Sequence, residues 1–304
     1  MIECVPNFSE GRDLARVNEL EFAVSSAPGV LVLDRSSDPD HNRSVLTFAG
    51  DTDSVIEAAV HVAAKAAELI DLNHHRGVHP RLGALDVLPF VPLGAATLED
   101  CVGIARRAAN RIWRELGIPV YFYQAAATRP DRIKLENVRR GQFEGLREAV
   151  FKDENKRPDL GGPALHATAG AVIVGARKIL IAYNINLKTT RLEIAKSIAK
   201  RIRASSGGFP SVKALGFPIL SKNVVQVSMN LTDIEETPLH VVYSEVCRLA
   251  AASGIEVDST ELIGLMPRRA LEAAALAGVE LPRVDPQKIL ENRIQKLVSG
   301  IKTL

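Results

Sequence analysis

The stretch GVLVLDRSSDPDHNRSVLTFAG, residues 29–50, contains two apolar segments separated by a polar connection. The apolar segments, GVLVLD and RSVLTFAG, are rich in Val, Leu, Thr and Phe, a composition typical of β-strands. The connecting residues SSDPDHN, from Ser36 to Asn42, favour turns and loops. The stretch therefore predicts two neighbouring strands joined by a loop.

Helix and strand patterns flank this pair on both sides. On the N-terminal side, IECVPNF (2–8) predicts a strand, and apolar residues at helical spacing predict a helix over 12–26. On the C-terminal side, a helix is predicted over 54–70 and a strand over 84–92. The resulting order, β-α-β-β-α-β, is that of a ferredoxin-like domain.

The same order recurs in the C-terminal half of the chain. Its predicted elements are a strand over 178–186, a helix from 190, the strands VKALGFPI and NVVQVSMNL, a helix that starts at Thr237-Pro238, and the strand GIEVD. Between the two units, a helix over 97–117 and the strand PVYFY precede residues 125–163, whose charge and Gly/Pro content predict a long excursion between two domains. Residues 268–304 predict two amphipathic helices. The expected fold class is α+β, with two ferredoxin-like subdomains.

Three motifs with a hydroxyl residue and an acid three positions later predict helix N-termini. They are Ser54-x-x-Glu57, Thr97-x-x-Asp100 and Thr190-x-x-Glu193. In such a capping box, the hydroxyl and the carboxylate each accept a hydrogen bond from an otherwise free backbone N–H. We therefore expect helices to begin directly after residues 54, 97 and 190.

Composition excludes several classes of protein. With 304 residues, 46% of them hydrophobic, and a net charge of +2, the chain is too apolar and too close to neutral to be disordered. Its apolar stretches are shorter than the roughly 20 residues of a membrane span, and MIECVPNF lacks the features of a signal peptide. Three widely spaced cysteines (Cys4, Cys101 and Cys247) favour a reducing compartment, and a 5% aromatic content gives no sign of nucleic-acid binding. We expect a cytoplasmic protein without nucleic-acid or membrane partners.

The segment HHRGVHPRLGALD, residues 74–86, places three of the seven histidines in a loop between a helix and a strand. Imidazole titrates near physiological pH, so a loop histidine can both accept and donate a proton. His79 precedes Pro80, which holds the backbone extended, and it is the candidate general acid/base. Arg76 and Arg81 are candidates for binding a carboxylate.

Two other interpretations of this segment stay open. His74 and His75 follow a helix, where solvated histidines commonly interact with the C-terminal end of the helix dipole. Alternatively, His74, His75 and His79, together with His41 or Asp86, hold a metal ion, and the protein is a metal-dependent hydrolase. No HExxH or CxxC spacing is present to support a metal site.

The segment DPDHNRS, residues 38–44, is a second candidate ligand site. Asp40, Asn42 and Arg43 offer groups that can bind the amine and the carboxylate of an amino-acid-like ligand. An ordinary Asp/Asn-rich turn, whose side chains bond to their own backbone, explains the same residues equally well.

A third candidate site is glycine-rich and lies within residues 158–178. Gly161, Gly162 and Gly170 would let the backbone approach a flat ligand closely. The segment does not contain GxGxxG, and neither GxxxxGK[ST] nor GxSxG occurs in the chain. The residues by themselves therefore indicate a two-domain enzyme with acid–base chemistry at His79. They do not identify its substrates or its reaction.

Seven motifs are spread along the chain from residue 3 to residue 267. They are ECVPNFSEG (3–11), NRSVLTFAG (42–50), GVHPRLGALDVLPFVP (77–92), PVYFY (119–123), GGPALHATAG (161–170), GARKILIAYNINL (175–187) and ELIGLMP (261–267). In sequence and in order, these motifs resemble those of the glutamate formimidoyltransferase (formiminotransferase) family. The resemblance covers nearly the whole chain.

This resemblance implies a reaction. The formimino group of N-formimino-L-glutamate moves to N5 of tetrahydrofolate, giving 5-formiminotetrahydrofolate and L-glutamate, in a route of histidine degradation. Tetrahydrofolate is then the co-substrate, no metal is needed, and the enzyme is a homodimer. The family's folate groove lies between two subdomains, here 1–177 and 178–304. His79, in the family's His-Pro-Arg motif, is the implied general acid/base.

The resemblance also implies binding residues. The matching folate segment comprises Gly161, Gly162, Pro163, Ala164, Leu165, His166, Ala167, Thr168, Ala169 and Gly170. For the substrate carboxylates and amine, the chemistry of the residues themselves indicates Asp40, Asn42, Arg43, Arg76 and Arg81.

The chain departs from the family pattern at several points. Leu165 and His166 stand where some members have aromatic residues, and Ser36 stands where some have an acid. Asp38 and Asp40 are therefore both candidates for the acidic partner of His79. Some members carry a cyclodeaminase domain after the transferase, and we expect a stand-alone transferase here. Formyl transfer between 5-formyltetrahydrofolate and glutamate, and folate binding without catalysis, are alternative functions.

Overall fold

The computed structural model describes residues 1–77 and 79–301, and the chain separates into two units. The first unit comprises Met1–Arg177, and the second begins at Lys178. Residues 302–304, the last three of the predicted C-terminal subdomain, lie outside the described residues.

The first unit contains a mixed sheet of seven strands. They are β1 (Ile2–Cys4), β2 (Asn7–Phe8), β3 (Leu31–Asp38), β4 (Arg43–Gly50), β5 (Leu85–Pro92), β6 (Val120–Gln124) and β7 (Val172–Ala176). Its helices are α1 (Leu14–Ser25), α2 (Thr52–Leu69), α3 (Leu98–Leu116), α4 (Leu135–Val138) and α5 (Gln142–Lys152). β3, β4, β1/β2 and β5 are antiparallel neighbours, and β7 and β6 extend the sheet in parallel beyond β5. The sheet therefore contains the predicted β-α-β-β-α-β order and two additional strands.

Residues 125–163 belong to the first unit, and the prediction of an excursion between two domains is wrong. Successive side chains of a strand point to opposite faces of the sheet. Leu88 and Phe122 pack with helices α1 to α3 on one face. On the other face, Val87 and Tyr121 pack with Leu146 of α5. The segment thus covers the second face of the sheet.

The second unit contains four antiparallel strands and four helices among the described residues. The strands are β8 (Ile181–Leu187), β9 (Val212–Ile219), β10 (Val224–Leu231) and β11 (Val257–Ile263), in the order β11-β8-β10-β9. The helices are α6 (Leu192–Ile202), α7 (Leu239–Ala252), α8 (Arg268–Leu276) and α9 (Leu290–Ile301). Its core is formed by residues of the sheet and of α6 and α7, with Tyr183 and Ile185 fully buried. The α+β fold class is confirmed, while the ligand groove stays a prediction.

Only one of the three predicted capping boxes is present. Thr97 and Asp100 form the predicted box at the start of α3. The prediction at Ser54 is wrong, because Asp51 caps α2 by accepting from the backbone N–H groups of Asp53 and Ser54. The prediction at Thr190 is also wrong, because α6 begins after Arg191 without a side-chain cap.

None of the described helices is long and apolar enough to span a lipid bilayer. The three cysteines are free, and Cys4 and Cys101 are buried.

Candidate functional site

The connection between β3 and β4 is shorter than predicted. Asn42 holds it to the loop between α2 and β5, residues 70–84, which we call the histidine loop. Strand β3 continues to Asp38, so Ser36 and Ser37 are paired with β4. The Asn42 side chain accepts from the N–H of Gly11 (3.0 Å) and donates to the carbonyl of Arg76 (2.9 Å). Its own carbonyl accepts from His75 Nε2 (3.0 Å). Asn42, a predicted substrate ligand, is thus occupied in joining two loops.

Gly77 lies where these two loops touch. A Cβ added at Gly77 would lie 2.4 Å from the carbonyl oxygen of His41 and 3.0 Å from the Asn42 Cβ. Because real Cβ atoms do not approach a backbone oxygen this closely, only glycine fits without displacing the loop.

Arg81 supports the histidine loop from inside. Its Nε donates to His75 Nδ1 (3.0 Å), and its two terminal nitrogens donate to both carboxylate oxygens of Glu144 in α5 (2.8 and 2.7 Å). His75 therefore has a partner at each ring nitrogen, and burial lowers its pKa, so it is neutral at pH 7. The two-pronged carboxylate contact predicted for Arg81 is present, but its partner is Glu144 of this chain.

His79 is held in one tautomer by its own loop. Its Nδ1 lies 2.7 Å from the carbonyl oxygen of Pro80. Since a carbonyl can only accept, Nδ1 carries the proton and Nε2 of the neutral ring is an acceptor. Among the described residues, neither Asp38 nor Asp40 is hydrogen-bonded to His79 Nδ1, which is the position expected for its acidic partner. Asp38 instead accepts from His41 Nδ1 (2.7 Å), and the His41 ring centroid lies 6.3 Å from that of His79.

A buried carboxylate near His79 holds two arginines. Asp86, fully buried at the start of β5, accepts from Arg43 Nη1 (2.9 Å) and from Arg139 Nη2 through the same oxygen. Its other oxygen accepts from the N–H groups of Leu82 (2.7 Å) and Gly83 (3.3 Å).

Charge and burial in this cluster determine the ionisation of its members. Burial alone would raise the pKa of Asp86, but the charges of Arg139 and Arg43 outweigh it and lower the pKa to about 2. Burial lowers the pKa of Arg43 to about 10, and Asp86 acts in the opposite direction. Burial also lowers the pKa of His79, and the two arginine charges lower it further, to about 4. At neutral pH Arg43 and Asp86 are therefore charged, while His79 is neutral and able to accept a proton at Nε2.

The glycine-rich segment is hydrogen-bonded to both ends of the histidine loop. The carbonyls of Thr168 and Ala169 accept from the N–H groups of Leu72 (2.9 Å) and Ala84 (2.9 Å). Gly170, at φ +71°, lies so close to the Leu82 carbonyl that an added Cβ would be 2.1 Å from it. Two motifs that are far apart in the sequence are therefore brought together.

The remaining residues of the predicted folate segment differ in exposure. Gly162, Pro163 and Ala164 are exposed, Leu165 and His166 are half-buried, and Gly161 packs on the ring of Trp113. His166 Nδ1 accepts from the N–H of Ala169 (3.0 Å), which stabilises the turn that ends at Gly170.

Several predicted residues do not join the cluster around His79. His74 is 87% exposed and pairs only distantly with Asp71 (3.7 Å). Asp40 is exposed, and the guanidinium of Arg76 donates to the carbonyls of Asn73 (3.1 Å) and His75 (2.8 Å). Within residues 1–77 and 79–301, no group of three or more His, Cys, Asp or Glu side chains is arranged to hold a metal.

Two members of the cluster, Arg139 and Asn7, are not among the residues predicted from the sequence. Arg139 directly follows α4, in the segment interpreted as an excursion. Asn7 lies in β2 and accepts from Arg43 Nη2 (2.7 Å). Asn7 lies in the motif ECVPNFSEG, which could have identified it as a site residue. Arg139 lies in none of the seven motifs, so the sequence contained no comparable indication for it.

Two family profiles together cover nearly the whole chain. The profile of the formiminotransferase domain, N-terminal subdomain, matches residues 1–177, and that of the formiminotransferase domain matches residues 182–292.

Individual relatives agree with these profiles. A glutamate formimidoyltransferase of Thermoplasma acidophilum is 48% identical over 298 residues, covering 97% of this chain and 98% of that protein. One from Streptococcus pyogenes serotype M1 is 44% identical over 295 residues, with the same coverage of 97% and 98%. A formimidoyltransferase-cyclodeaminase of Gallus gallus is 43% identical over 281 residues, covering 90% of this chain and 52% of that protein.

The fold of two α+β units and the extent of this similarity define an enzyme of the transferase class. The chain belongs to the formiminotransferase family.

Proposed function

We propose that the enzyme transfers the formimino group of N-formimino-L-glutamate to N5 of tetrahydrofolate, with His79 as the general acid/base. The observation that carries this proposal is the state of His79: its Nδ1 donates to Pro80, its Nε2 is an acceptor, and its pKa is lowered to about 4 by burial and by two neighbouring arginines. A neutral imidazole with a fixed tautomer is suited to take a proton from an attacking nitrogen. Relatives of 48% and 44% identity that carry the name glutamate formimidoyltransferase support the choice of reaction.

The proposed chemistry needs one proton acceptor that becomes a donor. N5 of tetrahydrofolate attacks the amidine carbon and forms a tetrahedral intermediate, and His79 Nε2 takes the N5 proton. The imidazolium then gives this proton to the glutamate nitrogen as its bond to the carbon breaks. With its low pKa, the protonated ring is a strong acid and returns the proton readily.

We also propose a place for each substrate. Thr168 and Ala169 accept hydrogen bonds from Leu72 and Ala84 of the histidine loop, which supports the assignment of residues 161–170 to folate. In this proposal no metal takes part. The subdomain boundary lies between residues 177 and 178, with folate in a groove between the subdomains. The enzyme acts in the cytoplasm as a homodimer, in histidine degradation.

The test is a direct assay with formiminoglutamate and tetrahydrofolate that follows the 5-formimino product. We expect product with the wild-type enzyme and a loss on the order of 10²–10⁴ in kcat for His79→Ala. The matched control is His74→Ala, because His74 lies in the same loop but is 87% exposed, and it keeps wild-type turnover.

Two outcomes contradict the proposal. Near wild-type turnover of a folded His79→Ala variant excludes the acid/base role. Absence of the formimino product together with reaction of 5-formyltetrahydrofolate and glutamate assigns formyl transfer instead.

A further inference from the structure

The cluster around Asp86 carries more positive than negative charge. Two guanidinium groups, those of Arg43 and Arg139, share one carboxylate oxygen of Asp86. The second oxygen is taken by the backbone N–H groups of Leu82 and Gly83. In the described part of the chain, no other carboxylate is paired with either arginine. The cluster therefore has one positive charge in excess.

This excess charge is largely removed from water. The side chains of Arg43 and Arg139 are each 12% exposed, and Asp86 is fully buried. Arg139 Nε is buried and has no hydrogen-bond partner among the described residues. A buried cation without a counter-ion is costly, and a buried N–H donor without an acceptor adds to that cost. An anion at this position would relieve both.

The anion would lie next to the proposed acid/base. The ring centroid of His41, two residues before Arg43, lies 6.3 Å from that of His79, and the charges of both arginines lower the pKa of His79. Guanidinium groups bind carboxylates through paired, charge-assisted hydrogen bonds, and Arg43 is already oriented by Asp86 and Asn7. Arg139 is oriented by Asp86 as well. The pair is thus organised before any ligand arrives.

We infer that Arg43 and Arg139 bind the α-carboxylate of the formimino amino acid and so determine which donor is used. This inference rests on the proposed function. In N-formimino-L-glutamate, only the α-carbon separates the α-carboxylate from the nitrogen that leaves. A carboxylate fixed at the arginine pair therefore keeps that nitrogen near His79. The carboxylates of folate lie at the opposite end of the molecule from N5 and do not meet this requirement.

The test compares Arg139→Met with its neighbour Arg140→Met. Arg140 is exposed and serves as a matched control. For Arg139→Met we expect the KM for formiminoglutamate to rise on the order of 10- to 100-fold, the loss of a charge-assisted contact. The KM for tetrahydrofolate stays within about twofold of wild type, as with any contact made to only one substrate. Arg140→Met behaves as wild type for both substrates.

A donor analogue identifies which carboxylate is bound. N-Formimino-4-aminobutyrate has the distal carboxylate of the natural donor but lacks the α-carboxylate. We expect it to be a poor donor for the wild-type enzyme and equally poor for Arg139→Met, since the contact is already absent. A further large loss with the analogue in Arg139→Met overturns the assignment.

Binding of L-glutamate separates this inference from the proposed function. Titration of wild-type enzyme with L-glutamate, followed by the NMR signals of His79, should show saturable binding that is weakened in Arg139→Met. If wild-type enzyme transfers no formimino group, the proposed function fails whatever the binding result. If it does, and Arg139→Met has an unchanged KM for formiminoglutamate, the inference fails. If the Met variant does not fold, Arg139→Lys replaces it. Because Lys keeps the charge but not the paired donors of Arg, we expect a KM for formiminoglutamate between the wild-type value and that expected for Arg139→Met.

Discussion

At the scale of single residues, the ionisation of His79 is set by its neighbours and not by the imidazole itself. Buried arginines near a histidine are expected to oppose its protonation. Asp86 limits this effect, because it compensates one of the two guanidinium charges. The pH range in which His79 can act as a base is therefore extended toward acid.

This effect predicts an unusual pH profile. The pKa of His79 is lowered from 6.5 to about 4, so the ring stays neutral as the pH falls from 7 to about 5. We expect kcat/KM to be nearly constant over that interval and to decline only near pH 4, because kcat/KM reports the free enzyme. Initial rates measured with formiminoglutamate in constant-ionic-strength buffers test this. An inflection near 6.5 that disappears in His79→Ala would show an unshifted histidine and contradict the electrostatic argument.

The same shift affects stability in a defined direction. An unfolded chain protonates this histidine near 6.5, whereas the folded chain does so only near 4. The unfolded state therefore binds more protons between these values, and the contribution of His79 to stability decreases as the pH falls through that interval.

At the scale of elements, the site depends on loops that are held to each other by backbone contacts. The turn before β4, the histidine loop and residues 166–170 share hydrogen bonds through Asn42, Leu72 and Ala84. Gly77 lies at the closest approach of the first two, where a Cβ would meet the His41 carbonyl at 2.4 Å. The loop that carries His79 is thus positioned by a residue that has no side chain.

Gly77→Ala is predicted to lower activity more than stability. The added methyl group must displace the loop from the turn, and a displacement on the order of 1 Å can cost about 10²-fold in rate. The control is Gly103→Ala in α3, where an added Cβ meets nothing within 4 Å; it should stabilise the helix by roughly 1 kcal/mol and leave kcat unchanged. Steady-state kinetics and urea denaturation of both variants test this. Equal kinetics for the two variants would show that the contact at Gly77 does not position His79.

Sequence patterns correctly predicted those helices and strands that are determined by residues close together in the chain. The capping box at Thr97 and the order of strands and helices in both units were found because each depends on a few adjacent residues. Strand β7 was missed because a short buried run such as VIVGA lacks the alternation that identifies a strand. The pairing of Arg139 with Asp86, 53 positions apart, depends on how residues 125–163 fold back on the sheet. No periodicity in those residues carries that information.

The structure brings the predicted Arg43 to the cluster near His79 and adds Arg139 and Asn7, which were not predicted. The loop position of His79 drew attention to it, but its hydrogen bond to Pro80 depends on backbone torsions that the sequence does not display. Arg81 matched the expectation for a ligand-binding arginine, yet its guanidinium is paired with Glu144, which lies 63 positions further along the chain. Charge-rich motifs identify candidate groups, and only the tertiary contacts separate those that bind a ligand from those that support the loop.

At the scale of the whole molecule, each unit has a hydrophobic core of its own. The first unit buries both faces of its sheet against helices from residues 1–177, and the second buries β8 and β10 against α6 and α7. The groups that lower the pKa of His79, namely its burial, Arg43 and Arg139, all belong to the first unit. A domain with its own core can in principle fold alone.

A fragment of residues 1–177 is therefore predicted to fold and to keep the lowered pKa of His79, but not to catalyse transfer. It should unfold cooperatively on heating, and NMR titration of His79 should give a pKa near 4, as in the full chain. The fragment contains Arg43 and Arg139 and should therefore bind L-glutamate. It should form no 5-formimino product, because we propose that folate binds between the two subdomains. A titration near 6.5 would show that the second unit is needed to build the site. Full transfer activity in the fragment would show that the second unit does not contribute to the folate site.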